Sequence, residues 1–238
     1  MSSSTPKSAY WEGFRAGAPF VLVVGPFAML FGVVATEAGL TVAETLAFSV
    51  AVIAGAAQFT AVQLMTENAP TAIVLASALA VNLRMAMYSA SLTPWIGSAP
   101  LWQRAFAAYF LVDQPYACSV LRYETGPPMT PAQRLAFFFG VVTPVCPTWY
   151  LFTWVGAVVG SRIPPEWALD FVVPIAFLAL VMPMLRTAAH VIAAAVAIVM
   201  ALLSAGLPYN LGLLVGGIAG MMAGARVELW ARRQRRRT

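Results

Sequence analysis

The sequence predicts an all-α, polytopic transmembrane helical bundle of about seven to eight spans, several of them interrupted by proline or glycine, with a possible internal repeat. Three observations predict it. Of the 238 residues, 61% are hydrophobic and 10% charged, whereas a soluble domain carries about 25% charge. Apolar runs of about 20 residues, long enough to carry a helix across the hydrocarbon core, recur along the chain. Those runs are continuous rather than alternating, which favours helices over a β-barrel.

Residues 1–12 read as a cytoplasmic tail, 13–230 as a single transmembrane domain and 231–238 as a basic cytoplasmic tail. The opening Met1-Ser2-Ser3-Ser4-Thr5-Pro6-Lys7 is polar and lacks the form of a signal peptide. Candidate spans lie near 14–38, 44–66, 70–94, 103–121, 132–160, 167–185, 188–205 and 209–229. One of them could be a re-entrant hairpin.

Helix starts are marked in three places. Thr41-Val42-Ala43-Glu44 and Thr130-Pro131-Ala132-Gln133 have capping-box spacing, the second with Pro at the first helical position. Glu44 is therefore read as a cap rather than a proton carrier. Pro164-Pro165-Glu166 opens the span that follows it.

Interruptions are expected at Gly25-Pro26, with Pro19 before it, at Pro144 and Pro147 around Cys146, and at Pro174 and Pro183. Proline removes a backbone donor, and in lipid the freed carbonyls need other partners. Transporters use such broken helices to build mid-membrane sites; a packed kink is the alternative at each proline. Glu44 to Ile53-Ala54 has the spacing of Glu166 to Ile175-Ala176, a hint of a repeat. In the last span Gly212, Gly216, Gly220 and Gly224 form a smooth stripe for close helix packing, against this chain or a partner.

Orientation follows the positive-inside rule. Arg232-Arg233-Gln234-Arg235-Arg236-Arg237 places the C-terminus in the cytoplasm, and Lys7 with Arg15 places the N-terminus there. Arg122 and Arg134 make the connection between them cytoplasmic, while Arg104 and Arg162 fall outside in this count. The terminal arginines are read as a topology signal, not as a nucleic-acid surface. Cys118 and Cys146 lack metal-ligand spacing and are expected as free thiols. No cofactor or metal is expected. The chain has no H-E-x-x-H, no G-x-S-x-G and no phosphate-binding glycine loop, and its one histidine, His190, is read as a packing or interfacial residue. No catalytic residue is assigned, and the chain is read as not an enzyme.

Two charges stand inside apolar spans. Arg84, in Asn82-Leu83-Arg84-Met85, would cost about 2.5–3.5 kcal/mol at a helix centre in lipid unless partnered. Asp113 lies in Val112-Asp113-Gln114-Pro115-Tyr116. Arg84 is 13 residues before Gly97 and Asp113 is 16 after it, so antiparallel helices would set them within about 5 Å in depth. The pair can be a structural salt bridge, a clamp in which Arg84 meets a carboxylate, or a proton switch at Asp113. Ser77, Arg84, Tyr88 and Ser91 share one helical stripe while Asn82 and Ser89 face nearly opposite, so this helix is either central or unwound near Asn82. Gln58, among small residues, is a further buried amide for a ligand or a neighbouring helix.

At these residues the chain resembles the AzlC family, the large subunit of bacterial branched-chain amino-acid exporters. The matching stretches are Gly55-Ala56-Ala57-Gln58-Phe59, then Asn82-Leu83-Arg84 with Tyr88-Ser89-Ala90-Ser91-Leu92, then Asp113-Gln114-Pro115-Tyr116. A fourth runs from Leu169 to Phe177, followed by Pro183. Order and spacing agree over residues 12–225. Many relatives have His after the Arg; this chain has Met85, so any role of that His is not carried over. The resemblance implies export of leucine, isoleucine, valine and methionine across the bacterial inner membrane against protons, with a small hydrophobic AzlD-type partner subunit that the glycine stripe could dock. Arg84, Asn82, Gln58 and Tyr88 are then the expected substrate-binding residues, and Asp113 the proton-coupling or ion-pair residue. The rival reading is a non-transporting membrane scaffold whose Arg–Asp pair is structural.

Overall fold

The computed structural model describes residues 5–162, 185, 187–207 and 211–235. These residues form helices, with no strand among them, as the fold class requires. The expected span near 167–185 with Pro174 and Pro183, the start at Pro164-Pro165-Glu166, the second half of the proposed repeat and Arg236-Arg237 lie outside the described residues. The described residues divide into two compact units, one from 5–63 with 75–162, the other from 64–74 with those beyond 165.

In the first unit, α1 (Pro6–Gly17) starts on the Thr5 hydroxyl, which accepts from the Ser8 amide. A short turn at Ala18–Phe20 leads into α2 (Val21–Glu37), and together they make one apolar run from Pro6 to Glu37. Two more helices have the length and composition to cross a membrane: α5 (Thr71–Ile96) and α8 (Pro131–Gly160). Between these crossings lie α3 (Val42–Ala51) with α4 (Gly55–Thr66), and α6 (Leu101–Tyr109) with α7 (Asp113–Thr125). Both capping boxes form: Thr41 with Glu44 opens α3, and Thr130 with Gln133 opens α8.

Of the expected interruptions, the one at Pro19 is present as the short 3-10 turn Ala18–Phe20, whereas the other described prolines do not break their helices. α2 runs through Pro26 and α8 through Pro144 and Pro147. Pro144 is buried and lies close to Gly17, so it is a packed proline and not an opening. α8 is the core helix, with Phe138, Val141 and Ala157 fully buried. Its small residues let whole backbones touch: Gly32 of α2 lies against the Thr153 carbonyl, and Gly156 of α8 against that of Met29. Because Gly13 meets Phe137, Gly17 meets Val141 and Gly32 meets Thr153, the α1–α2 run and α8 are parallel.

The interruptions fall elsewhere, at 52–54 and 110–112, and at each the chain turns back. On α3, Phe48 packs on Phe31 of α2; beyond the break, Gly55 approaches Phe27 and Phe59 packs on both Phe27 and Phe31. The Gln58 amide donates to the Ser49 hydroxyl at 2.9 Å across the turn. At 1.5 Å per residue, a helix continuing straight would separate those two by about 13 Å. The second break behaves alike. Along α6 the contacts run Phe106 to Phe139 and Tyr109 to Tyr150, so α6 runs with α8. Along α7 they run Cys118 to Ala16 and Arg122 to Glu12, so α7 runs against α1. The expected spans 44–66 and 103–121 are thus two re-entrant hairpins rather than straight crossings. Hydropathy reads the same for either, because a hairpin of two half-helices is as apolar as one full helix.

The hairpins enter from opposite faces. The α3–α4 hairpin hangs from the face where α2 ends and α8 finishes. The α6–α7 hairpin rises from the face of the N-terminus, where Arg134 of α8 donates to the Trp95 carbonyl of α5 at 3.0 Å and Trp95 lies beside Tyr123 of α7. This moves Arg104, on α6, to the N-terminal face with Arg15, Arg122 and Arg134. The expectation that Arg104 lies with Arg162 is corrected, since α6 goes in and α7 returns to the same face.

In the second unit, α9 (Ala188–Leu203) and α10 (Leu211–Arg235) pack against each other. The α10 stripe of Gly212, Gly216, Gly220 and Gly224 meets Ala201, Ala197, Ala193 and Ala189 of α9 in antiparallel order. The stripe is therefore used inside this chain.

Candidate functional site

Asp113 is the first residue of α7, at the end where free backbone N–H groups favour a negative charge. Its neighbour Pro115 sits in the first turn, where a missing N–H costs nothing. One Asp113 oxygen pairs with Arg84 Nη1 at 3.1 Å, and the other accepts from the Tyr88 hydroxyl at 3.0 Å. Arg84 and Tyr88 are four residues apart on α5, so they stand on one helical face. The cluster continues along the helix: Tyr88 stacks on Tyr116 with ring centroids 4.0 Å apart, and the Tyr116 hydroxyl donates to Ser91 at 3.2 Å. α5 and α7 run parallel here, not antiparallel as the loop count expects, because α6 already brings the chain back to mid-depth. The pair stands partly open, with side-chain exposures of 31% for Arg84 and 44% for Asp113. Arg84 Nε is buried and without a partner among the described residues.

Asn82 and Gln58 are not in that cluster. α5 stays helical through Asn82, so two residues of helical rotation turn Asn82 away from Arg84. It lines a cavity of about 220 Å³ between the two hairpin tips, with Ala51–Ala54 of the first break, Met85, and Ala108, Tyr109 and Leu111 of the second. Asn82 Oδ1 is buried and unpartnered among the described residues. Gln58 is fully buried at the base of α4, its amide nitrogen tied to Ser49 and its Oε1 unpartnered. The four expected substrate residues thus occupy three places: Arg84 with Tyr88, Asn82, and Gln58.

Tyr109 is the site residue that sequence reasoning missed. Its hydroxyl donates to the Val50 carbonyl, one of the last carbonyls of α3, at 2.6 Å, and lies 3.0 Å from the Tyr150 hydroxyl. It ties the two tips together. An aromatic at the end of an apolar run carries no signal of this kind until the chain reversal at 110–112 is known. A second cavity of about 230 Å³ lies between α5 and α6, lined by Ser89, Thr93 and Arg104 among others. Ala108 and Leu111 line both cavities, so the two adjoin.

Cys118 and Cys146 are free thiols. Among the described residues, no cluster of three or more His, Cys, Asp or Glu could hold a metal.

A family model described as AzlC protein matches residues 19–163, well over half of the chain and the part that holds both hairpins. The chain is 26% identical over 196 residues to the inner membrane protein YgaZ of Escherichia coli (strain K12), covering 75% of this chain and 76% of that protein. It is 29% identical over 238 residues to an uncharacterized membrane protein of Archaeoglobus fulgidus, covering 97% of this chain and 99% of the other. No solved structure matches.

Proposed function

Because this chain belongs to the AzlC family of membrane proteins, we propose that it is a secondary transporter that exports branched-chain amino acids across the cytoplasmic membrane. Export is coupled to protons and shared with a small hydrophobic AzlD-type subunit. The observation that carries the reading is the meeting of two opposed re-entrant hairpins beside an intramembrane Arg84–Asp113 pair. Broken helices at mid-membrane are where transporters place substrate sites, and charges there mark ion or substrate pathways.

The cycle follows from the contacts. Asp113 holds Arg84 and Tyr88 while it is charged. A proton on Asp113 removes the charge that holds Arg84, and the freed guanidinium can grip a substrate carboxylate through two parallel bonds. The substrate's apolar side chain lies against Ile53, Met85 and Leu111 in the tip cavity, where each buried methylene contributes about 0.8 kcal/mol. Withdrawing one hairpin at a time opens the site to one face and then the other. With its glycine stripe occupied by α9, the chain must dock a partner subunit through another face.

The charge distribution supports a cytoplasmic N-terminal face. Lys7, Arg15, Arg104, Arg122 and Arg134 lie toward it, while Glu37, Glu44 and Arg162 lie toward the other.

The test is efflux of labelled leucine from proteoliposomes under an imposed pH gradient, with the chain and its small partner, and Asp113→Asn alongside. Gradient-driven efflux that disappears in a well-folded Asp113→Asn protein is expected. A folded complex that moves no substrate of any size would overturn the reading in favour of a scaffold, for which the Arg84–Asp113 bond itself is the supporting observation.

A further inference from the structure

We propose that the space between α5 and α6 is a water-filled path from the N-terminal face to the tip cavity, with α6 alone as its gate, hinged at 110–112. The solute that passes is taken from the exporter reading; the path follows from the helices themselves.

The two halves of the second hairpin are held very differently. α7 is tied along its whole length to three helices. Asp113 bonds Arg84 and Tyr88 of α5, and Tyr116 bonds Ser91 of the same helix. Further along, Cys118 lies toward Ala16 and Arg122 pairs with Glu12, both on α1. The Tyr123 hydroxyl then donates to the Arg134 carbonyl of α8 at 2.7 Å. Pro115, Ser119 and Tyr123, each four residues from the next, are buried as one stripe. In α6 only Ala107 is buried. Among the described residues its side-chain hydrogen bonds are those of Tyr109, at the tip. Its packing on α8 is light, through Phe106 on Phe139. Elements with few buried contacts open at least cost, and hinges fall at the ends of elements. α6 therefore moves on a fixed α7.

A space for that movement is already present. The cavity of about 230 Å³ follows α6 from Leu101, its first residue, to Ala108 beside the tip, about 10 Å of helix. Arg104, Ala105 and Ala108 line it from α6, and Ser89, Thr93 and Ile96 from α5. The two alanines are too small to fill the gap. Ala108 and Leu111 also line the tip cavity, so the path leads there. Charges in membrane helices are kept where they face water or a partner, and Arg104 brings its charge to the mouth of this space. Swinging α6 away from α5 widens the path and lifts Tyr109 from Val50. It leaves Asp113 on Arg84, because α7 does not follow. Opening to this face and release of the ion pair are thus separate events.

The experiment places single cysteines in a chain without its native thiols (Cys118→Ala with Cys146→Ala), reconstituted in vesicles. The readout is the rate of modification by a membrane-impermeant thiol reagent, which attacks the thiolate, a form that apolar burial suppresses. Lys7→Cys marks the N-terminal face. Ala105→Cys and Ala108→Cys should react from that face, Ala108→Cys more slowly. Ser89→Cys, at the same depth on the other wall, should behave as Ala108→Cys does. Ser119→Cys, on the buried stripe of α7, should not react. Tyr109→Phe should speed Ala108→Cys about two- to tenfold, the effect of one hydrogen bond, and leave Ser119→Cys unreactive. Inert cysteines at both 89 and 108, or cysteines reached only from the face opposite Lys7→Cys, would overturn the path. A rate at Ala108→Cys that ignores Tyr109→Phe would overturn the gate. So would Ser119→Cys gaining reactivity alongside it, because the hairpin would then move whole. None of these readings requires transport. If the labelling is as expected while leucine efflux fails, the exporter reading falls and the path stands; the reverse result removes the path alone.

Discussion

The Tyr109 hydroxyl donates to the Val50 carbonyl at 2.6 Å, joining two hairpin tips that have entered from opposite faces. The bond spans 59 residues of sequence and is a direct link between the two breaks. In the exporter reading, the barrier between the two faces is set by how these tips meet.

Tyr109→Phe removes that link and the contact with Tyr150 while keeping the ring. A typical hydrogen bond contributes about 0.5–1.5 kcal/mol net, so separated tips should become roughly two to ten times more populated. Downhill leakage of labelled leucine, measured with no imposed pH gradient, should rise by that factor at unchanged folded yield. A leak no faster than that of the wild-type chain would remove the link from the barrier.

Arg84→Gln leaves Asp113 without its cation, and Asp113→Asn leaves Arg84 without its anion. An unpaired charge at mid-membrane costs about 2.5–3.5 kcal/mol, so each single substitution should lower melting temperature in detergent, while the double substitution recovers much of the loss. Flux separates the readings. A transporter loses efflux in the double variant even as stability returns. A scaffold shows no activity that could fail to return.

Ser49→Ala deprives the fully buried Gln58 amide of its acceptor across the first hairpin. A buried donor left unmet costs about 1–3 kcal/mol. Replacing both, as Ser49→Ala with Gln58→Leu, should be closer to neutral than Ser49→Ala alone. Thermal unfolding of the four proteins gives the coupling directly; additive losses would mean the bond does not hold the hairpin.

In α10, neighbouring glycines should respond in opposite ways. A Cβ on Gly216 would lie 2.6 Å from the Ala197 carbonyl, whereas one on Gly217 meets nothing within 4 Å. Gly216→Ala should destabilise the α9–α10 pair by about 1–3 kcal/mol through overpacking. Gly217→Ala should be neutral or stabilising by up to about 1 kcal/mol, because alanine favours helix. Equal effects in thermal unfolding would show that α9 does not press on this stripe.

The crossings at Pro6–Glu37, Thr71–Ile96 and Pro131–Gly160 were legible because unbroken apolar length is what a lipid core demands. The Thr41 and Thr130 caps were legible because their chemistry is local. The reversals were not. Proline advertised breaks at Pro26, Pro144 and Pro147, where the helix in fact continues, with Pro144 packed against Gly17 and the other two on exposed faces. The true breaks, 52–54 and 110–112, hold only apolar residues whose turning depends on what waits at mid-depth. Arg84 and Asp113 could be paired from their spacing, but the antiparallel route drawn for them is replaced by a parallel one. The tip cavity, built from backbone ends and one amide, left no motif to read.

The two hairpins also impose an order on how the protein can be made. α3 has ten residues and α6 nine, so each reaches only about 14–15 Å, half of a hydrocarbon core about 30 Å thick. A tip that ends there exposes backbone groups that lipid cannot satisfy. The first tip is complete at Ala54, yet its counterpart at Phe110 is 56 residues further along the chain. During synthesis the first hairpin must wait in the membrane with half a site, with only α1, α2 and then α5 made beside it, until the second arrives from the other face.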